Sequence, residues 1–249
     1  MSRAGLAAGE VMSPRRLLVI EHEADAPVAL FGEWLTGVGV ELEVIRPWKG
    51  DPVPSQVATG GLVVLGGAMA AEDDDVAPWL PAVRSLLREA VPAGVPTLGI
   101  CLGAQLMAVA TGGRVERGDA GPELGVCRLE LSGAAAADPL FGPLRPPLAA
   151  AQWHMDAITA LPGGAVVLAS SDRYDVQAFR VGEAAWGVQF HPEVDRAVMA
   201  SWAAGDPADT FTPQQLEQAV AEVGEAEPVL RATWRLVAER FAGILDERP

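Results

Sequence analysis

The sequence predicts an α/β fold, in which a mostly parallel open sheet has helices on both faces. Three observations support this fold class. Over the first half of the chain, short apolar runs alternate with segments of helical periodicity, as in successive β-α-β units. After Gly113 the pattern changes to short alternating segments, which indicate a small antiparallel addition. A helical pattern near the carboxyl end predicts a C-terminal helical extension.

The first half of the chain contains four apolar runs that we interpret as buried strands, with helical patterns between them. Three aspartates at 73–75 precede one expected helix, where carboxylates suit the positive end of the helix dipole. Strands separated by helices in this way lie side by side in a parallel sheet. The strands are expected at 16–21, 40–45, 61–67 and 95–101, and the helices at 28–38, about 77–91 and about 102–111.

The second half contains short alternating segments that we interpret as antiparallel strands. Gly205 to Pro207 looks like a linker, and Thr212 to Gln215 is the capping-box start of a helix. A last helix carries an apolar stripe, which packs on the domain or, alternatively, forms a dimer or partner surface. The strands are expected at 126–131, 165–170, 176–180 and 184–190, and the stripe consists of Leu230, Trp234, Val237, Phe241 and Ile244.

These patterns divide the chain into three parts. Residues 1–13 form a small, polar leader that we expect to be disordered. Residues 14–204 form the α/β domain, and residues 205–249 form the helical extension. A chain of 249 residues suits one large domain with such an appendage.

Composition and charge exclude several classes of protein. The 18 Lys and Arg residues against 33 Asp and Glu give a formal charge of −15, which argues against binding to nucleic acid or to an anionic membrane. No apolar run approaches the roughly 18–20 residues of a membrane helix, and Leu17 to Ile20 is too short for a signal-peptide core. We therefore expect a cytoplasmic protein whose partners are small molecules or proteins. Two cysteines do not make a disulfide framework.

Cys101 lies where a buried strand is expected to turn directly into a helix. In GICLG at 99–103, glycines two before and two after the cysteine allow the sharp turn of a nucleophile elbow, with a thiol in place of a hydroxyl. The positive end of the following helix favours the thiolate. The pattern therefore indicates a nucleophile at the carboxyl edge of the sheet. Cys127, within an alternating strand, is expected to be a buried apolar residue.

A thiol nucleophile requires a base, and the chain has three histidines, His22, His154 and His191. His191 ends an apolar strand, and Glu193 lies on the same side of an extended segment. Such a carboxylate orients the ring and stabilises imidazolium, which completes a Cys-His-Glu triad. His154 is expected to be a structural or substrate-loop histidine. His22 is expected to be solvated or, alternatively, to face an acceptor or a partner.

Three motifs together resemble the class I, triad-type glutamine amidotransferases. They are GICLGAQ at 99–105, VQFHPE at 188–193 and the glycine turn LGGAMA at 65–70. The likeness runs from about Arg16 to Trp202 and is strongest to stand-alone proteins similar to the glutaminase domain of GMP synthetase. It implies a flavodoxin-like amidotransferase fold.

The resemblance also implies roles for the residues of the site. Cys101 attacks the side-chain amide carbon of glutamine, and His191 and Glu193 complete the triad. Gly67 and Leu102 donate backbone N–H groups to the oxyanion, which requires a glycine turn beside a helix start.

The same resemblance implies a set of substrate-binding residues. Gln105 lies one helical turn beyond Cys101 and helps to hold the amino-acid end of the substrate. Trp153, His154 and Met155 belong to a loop beside the glutamine pocket. Related sequences commonly have glycine where this chain has Met155, so a side chain enters the site here.

The expected reaction is hydrolysis of L-glutamine or a γ-glutamyl compound, and it needs no cofactor. No metal-ligand spacing occurs, and the Gly-Gly turn at 66–67 lacks the other residues of a nucleotide-binding loop, so we expect no ATP-using domain. The ammonia would then go to a separate synthetase chain. Alternatives are a stand-alone γ-glutamyl peptidase, a non-catalytic regulatory or scaffold subunit, and a related cysteine hydrolase or chaperone. The sequence leaves a homodimer open.

Overall fold

The computed structural model describes residues 15–206 and 210–245. The leader expected at 1–13 and the end of the expected linker, Pro207, lie outside the described residues. In the first half of the chain, strands and helices follow one another in the expected order. They are β1 (Arg15–Ile20), α1 (Ala29–Gly37), β2 (Val40–Ile45), β3 (Gly61–Val64), α2 (Leu80–Ala90), β4 (Thr97–Ile100) and α3 (Leu102–Ala110).

The second half contains more strands than the sequence predicts. Its elements are β5 (Arg114–Arg117), β6 (Glu123–Leu131), β7 (Leu148–His154), β8 (Asp156–Ala160), β9 (Val166–Ser170), β10 (Ala178–Val181), β11 (Ala185–Val188), α4 (Arg196–Gly205) and α5 (Pro213–Ile244). The sequence does not predict β5, β7 or β8. Charged or alanine-rich runs have low strand propensity, and pairing with neighbouring strands overrides it here.

Nine strands form one sheet in the order β2-β1-β3-β4-β11-β10-β9-β6-β7. The first five strands in this order, β2, β1, β3, β4 and β11, are parallel to one another. The other four, β10, β9, β6 and β7, are each paired in antiparallel fashion with their neighbours. β5 and β8 form a separate two-stranded antiparallel sheet. The predicted fold class is confirmed, and most of the antiparallel addition extends one edge of the main sheet.

β11, predicted within the antiparallel group, belongs in fact to the parallel half. It pairs in parallel with β4, with Val188 opposite Ile100, and only its other edge is antiparallel, to β10. All of its residues are buried, as in a central strand that is covered on both faces. Because β4 and β11 are parallel neighbours, their carboxyl ends lie side by side at the same edge of the sheet.

Helices cover both faces of the sheet. On one face α2 and α3 pack together, and Leu87 and Met107 lie in the shared core. On the other face α1 and α5 pack together, and Phe31 and Trp234 are buried between them and the sheet. This is the three-layer arrangement expected of the fold class. Within the described ranges, no helix combines the length and apolar character needed to cross a membrane.

The carboxyl-terminal segment is one helix, α5, of 32 residues rather than the two shorter helices expected. It begins with the predicted capping box, in which Thr212 and Gln215 exchange hydrogen bonds. Pro228 lies inside this helix, although proline there removes a backbone hydrogen bond. The apolar stripe packs on the domain, where the Trp234 ring lies 4.5 Å from that of Phe190. The domain boundary at residue 205 remains a prediction.

The aspartates at 73–75 do not cap α2, contrary to expectation, since α2 has no acidic residue in its first turn. Instead, Asp74 forms an ion pair with Arg84 at 2.7 Å, and Asp73 accepts the N–H of Ala70 at 2.8 Å. The Asp73 contact is local to the loop, whereas the Asp74 ion pair ties the loop to Arg84 within α2.

Candidate active site

Cys101 lies at the sharp turn between β4 and α3, as the elbow motif predicts. Its φ of 49° and ψ of −108° are outside the regions that residues with a side chain ordinarily adopt. A Cβ on Gly99 would lie 2.6 Å from the carbonyl carbon of Gly103, and a Cβ on Gly103 would collide with the carbonyl of Val64. Both glycines are therefore required sterically. The N–H of Cys101 donates to the carbonyl of Val188 at 2.8 Å, which anchors the turn to β11.

His191 and Glu193 follow β11 and meet Cys101 at the same sheet edge. The Nδ1 of His191 lies 2.7 Å from a carboxylate oxygen of Glu193, and both side chains are buried. The backbone N–H of His191 donates to the carbonyl of Ala151 at 2.9 Å, which ties this segment to β7. A Cβ on Gly66 would lie 3.1 Å from Cε1 of His191 and 3.6 Å from Cβ of Cys101. The structure thus brings the three predicted residues together beside the Gly66 backbone.

The surroundings of His191 favour its charged form. Burial by itself lowers the imidazole pKa, but the negative charges of Glu193 and Cys101, both hydrogen-bonded to the ring, outweigh it and raise the pKa to about 10. The second oxygen of Glu193, Oε2, is buried without a hydrogen-bond partner in the described part of the chain. Near neutral pH the His191 ring is therefore held as imidazolium, beside the sulfur of Cys101.

Gly67 and Leu102, the predicted oxyanion donors, lie next to each other. A Cβ on Gly67 would lie 3.0 Å from Cδ2 of Leu102 and 2.7 Å from Sδ of Met69, so a larger residue at this point of the turn would require these side chains to shift. Leu102 is the first residue of α3, where a backbone N–H has no partner within the helix. Among the described residues, no hydrogen bond occupies the N–H of Gly67 or Leu102. Both donors are available to a negatively charged oxygen.

His22 is completely buried, so the expectation of a solvated histidine is wrong. Its Nδ1 accepts a hydrogen bond from Nε1 of Trp79 at 3.0 Å, and its Nε2 has no partner among the described residues. Burial lowers the His22 pKa to about 4, so the ring is neutral at physiological pH. His22 is buried because the loop after β1 packs under the 65–70 turn. Within this contact, the carboxylate of Glu23 accepts the N–H of Ala68.

His154, at the end of β7, is held by two acceptors. Its Nε2 lies 2.8 Å from the carboxylate of Glu123, and its Nδ1 lies 2.9 Å from the carbonyl oxygen of Asp156. Both ring nitrogens are therefore occupied, and neither is free to take a proton from Cys101. The assignment of His154 as a structural or substrate-loop histidine stays a prediction, and these two contacts are compatible with it.

Gln189 is a residue of the site that the sequence analysis missed. Its Nε2 lies 3.6 Å from Sγ of Cys101, and its Oε1 accepts a hydrogen bond from Nε2 of Gln105 at 3.2 Å. The same Nε2 of Gln105 donates to the carbonyl of Asp156 at 3.2 Å. A signal for Gln189 was present, because it precedes His191 by two residues and so shares its side of an extended segment.

Trp153 lies within β7, and Met155 is the single residue between β7 and β8, so this segment is a strand end and a bend rather than the loop expected. The Trp153 ring packs 5.9 Å from that of Trp202, which in turn lies 4.7 Å from the imidazole of His191. Trp202, on α4, was not predicted as part of the site. The Sδ of Met155 accepts a hydrogen bond from Arg117 at 3.1 Å, so this side chain is directed toward the neighbouring strand β5.

Neither the second cysteine nor a metal cluster offers a competing site in the described part of the chain. Cys127 lies in β6 and is partly exposed rather than buried as expected, but its partial burial and the negative charge of Glu123 raise its pKa to about 12. It is therefore a neutral, unreactive thiol at physiological pH. Among residues 15–206 and 210–245, no group of three His, Cys, Asp or Glu side chains is arranged to hold a metal ion.

Comparisons with known proteins point to one family. The model of the family described as "Glutamine amidotransferase class-I" matches residues 34–201. A glutamine-hydrolyzing GMP synthase subunit of Halobacterium salinarum is 37% identical over 142 residues, covering 57% of this chain and 70% of that protein. The crystal structure of a glutamine amidotransferase from Methylobacillus flagellatus has a TM-score of 0.83 at 28% identity, covering 95% of this chain and 98% of that one. A Thermotoga maritima glutamine amidotransferase gives a TM-score of 0.77 at 27% identity, covering 92% and 99%.

The chain therefore belongs to the class I glutamine amidotransferase family. The matched segment contains the elbow at Cys101 and the pair formed by His191 and Glu193. The enzyme class predicted from the three motifs, an amidotransferase that uses glutamine, is confirmed, together with its likeness to the GMP synthase type.

Proposed function

We propose that this chain hydrolyses the side-chain amide of L-glutamine through a γ-glutamyl thioester on Cys101 and passes the ammonia to a separate synthetase chain. The observation that carries this proposal is the meeting of Cys101 with the His191–Glu193 pair at one sheet edge, where the imidazolium form of His191 is favoured. Cys101 is the nucleophile, His191 carries the proton, and Glu193 orients and charges His191.

The first half-reaction forms the thioester. The thiolate of Cys101 attacks the amide carbon, so that a C–S bond forms and the carbonyl oxygen becomes an oxyanion. The N–H groups of Gly67 and Leu102 stabilise this oxyanion, since both are unoccupied and adjacent. When the tetrahedral intermediate collapses, the C–N bond breaks and His191 gives its proton to the leaving nitrogen, which departs as ammonia.

The second half-reaction releases glutamate. His191, now neutral, takes a proton from water as the water oxygen attacks the thioester carbon. The same two N–H groups stabilise the second oxyanion. Collapse breaks the C–S bond, Cys101 leaves as a thiolate, and His191 remains as imidazolium, so both residues return to their starting state.

Gln105 and His154 suit the binding of the amino-acid end of glutamine. Both amide hydrogens of Gln105 are used within the protein, to Asp156 and Gln189, which leaves its carbonyl oxygen as the group to offer a ligand. An amide oxygen accepts from an ammonium, so Gln105 fits the α-amino group of the substrate. His154 acts on this end through Asp156, whose backbone it fixes.

The proposed ammonia acceptor is a synthetase chain of the GMP synthase type. The relative from Halobacterium salinarum is named as one subunit of a GMP synthase, which supports an assembly of separate chains. We expect the free chain to hydrolyse glutamine slowly, because the glycines at 66 and 67 leave the turn flexible and a docked partner would hold both oxyanion donors in place.

The experiment that tests the proposal measures glutamate released from glutamine by the purified chain, with Cys101→Ala as the inactive control. Glutathione and other γ-glutamyl compounds are assayed in parallel by mass spectrometry. Glutamate from glutamine alone, lost in Cys101→Ala, is the expected result. Turnover of glutamine that persists in Cys101→Ala would contradict the mechanism.

A second candidate function is a γ-glutamyl peptidase that uses the same triad. The observation in its favour is Arg117, whose guanidinium contacts Sδ of Met155 at 3.1 Å and lies 3.8 Å from the carboxylate of Asp156. This exposed cation beside the substrate segment suits a carboxylate that lies beyond the γ-amide of a peptide. Faster release of glutamate from a γ-glutamyl dipeptide than from glutamine, lost in Arg117→Gln, would select this function.

A further inference from the structure

We propose that Gln189 is a further catalytic residue, whose side-chain amide donates a hydrogen bond to the sulfur of Cys101 and stabilises the thiolate. This role rests on the thioester mechanism proposed above, and it adds a neutral donor to the charged partner His191. The N···S separation is 3.6 Å, and the Gln189 side chain is buried.

The orientation of the Gln189 amide is fixed by a chain of hydrogen bonds. The chain begins at the backbone carbonyl of Asp156, which only accepts, so the nitrogen of the Gln105 amide faces it. That same nitrogen also donates to Gln189, which must therefore present its oxygen to Gln105. The Gln189 nitrogen is left facing Cys101. The donor direction thus follows from the network, and the reverse orientation would set two donors against each other.

An N–H group in this position discriminates between the two forms of the cysteine. A neutral thiol is a weak acceptor, whereas a thiolate is an anion to which an amide donates a charge-assisted hydrogen bond. Because Gln189 is only 1% exposed, water does not compete for the contact, which strengthens it. The amide therefore lowers the energy of the thiolate more than that of the thiol.

Gln189 supplies something that the charged groups around Cys101 do not. His191 faces the sulfur directly, and Glu193 acts on it from behind His191. In the proposed cycle His191 gives up its proton when ammonia leaves, so its positive charge is absent during part of the reaction. The amide of Gln189 does not titrate, so it faces the sulfur as a donor throughout the cycle, including the interval in which His191 is neutral.

Two nearly isosteric variants separate the contacts of Gln189. Gln189→Glu keeps an oxygen that accepts from Gln105 but replaces the N–H that faces Cys101 with an anionic oxygen. Gln189→Met removes both contacts. The rate of Cys101 alkylation by iodoacetamide is measured against pH in each variant by peptide mapping, which excludes any signal from Cys127. Alkylation reports the thiolate without any turnover of glutamine.

We expect the pH midpoint of alkylation to rise by about one unit in Gln189→Met, and further in Gln189→Glu, because a hydrogen bond to an ion is lost. KM for glutamine should stay near the original value in Gln189→Glu and rise in Gln189→Met, which also frees Gln105. Thr97→Val is the matched control, since it removes another buried hydrogen bond, to the carbonyl of Val95, at the start of β4. Its alkylation profile should not move.

An alkylation midpoint that is unchanged in both variants of Gln189 would overturn the proposal, even if kcat falls. The shorter variant Gln189→Asn, which withdraws the N–H from Cys101 but keeps a polar amide, provides the same comparison should either of the others not fold. If the original chain shows the expected alkylation profile but does not hydrolyse glutamine, the proposed function is contradicted instead. The two failures are therefore distinguishable.

Discussion

Gln105 and His154 donate to the same atom, the carbonyl oxygen of Asp156, at 3.2 and 2.9 Å. Gln105 belongs to the helix that begins at the nucleophile, and His154 ends a strand on the antiparallel side of the sheet. One carbonyl therefore joins the Cys101 elbow to the segment that is expected to bind the substrate. This junction lets substrate binding and nucleophile position depend on the same few hydrogen bonds.

His154→Ala should raise KM for glutamine about tenfold and leave kcat nearly unchanged. The reason is that His154 fixes the backbone of Asp156 and has no free nitrogen for proton transfer. A substitution that weakens binding of the ground state and the transition state equally raises KM and leaves kcat unchanged. Steady-state kinetics measure both constants, and a collapse of kcat with KM unchanged would make His154 the base.

Glu193→Gln should lower kcat by about 10²- to 10⁴-fold without abolishing it, because the carboxylate orients and charges His191 but does not touch the reacting bond. The imidazolium should also be lost at lower pH, since Glu193 is one of two anions that raise the His191 pKa to about 10. The alkaline limb of kcat/KM should therefore move to lower pH. Glu41→Gln, at an exposed position on β2, is the control, and an alkaline limb identical in both variants would contradict the assignment.

Gly66→Ala should lower kcat about 10²- to 10³-fold, similar to the loss of one oxyanion donor, while the protein stays folded. The added methyl group would lie 3.1 Å from Cε1 of His191, so either the turn or the imidazole must shift. Gly37→Ala, where no atom lies within 4 Å of the added carbon, is the control. Activity measured beside thermal unfolding separates the two effects. Equal kcat in the two variants would show that the Gly66 backbone does not shape the site.

His22→Gln should make the stability of the fold less dependent on pH between about 6.5 and 4. In the folded state burial lowers the His22 pKa to about 4, so as the pH falls through this window only the unfolded state takes up the proton. The contribution of His22 to the free energy of unfolding is present in full above pH 6.5. It is lost as the pH falls toward 4, by up to about 3 kcal/mol. Urea unfolding at pH 7, 5.5 and 4.5 measures the difference between His22→Gln and the original chain. Parallel curves for the two proteins would refute a buried neutral His22.

Local chemistry in the sequence predicts which residues the fold brings together at the candidate site. The glycines around Cys101 and the two-residue spacing of His191 and Glu193 are short-range constraints, which a sequence displays directly. The burial of His22 could not be predicted in this way. It depends on the loop after β1 packing under the turn after β3, a contact between segments about 45 residues apart in sequence.

The same limit explains the errors in the fold. β11 is parallel because its neighbour in space is β4, whereas its alternating pattern indicates only that it is a strand. The α5 helix continues through Pro228 because its buried face, including Trp234, packs on the domain, and this packing outweighs the local preference for an end.

The central claim is that Cys101 is the activated nucleophile, and covalent labelling with a glutamine-derived diazo-ketone tests it most directly. We predict that inactivation follows modification of the peptide that contains Cys101, that glutamine protects against it, and that Cys127, whose pKa burial raises to about 12, stays unmodified. Complete inactivation with Cys101 intact and the label on Cys127 alone would contradict this claim.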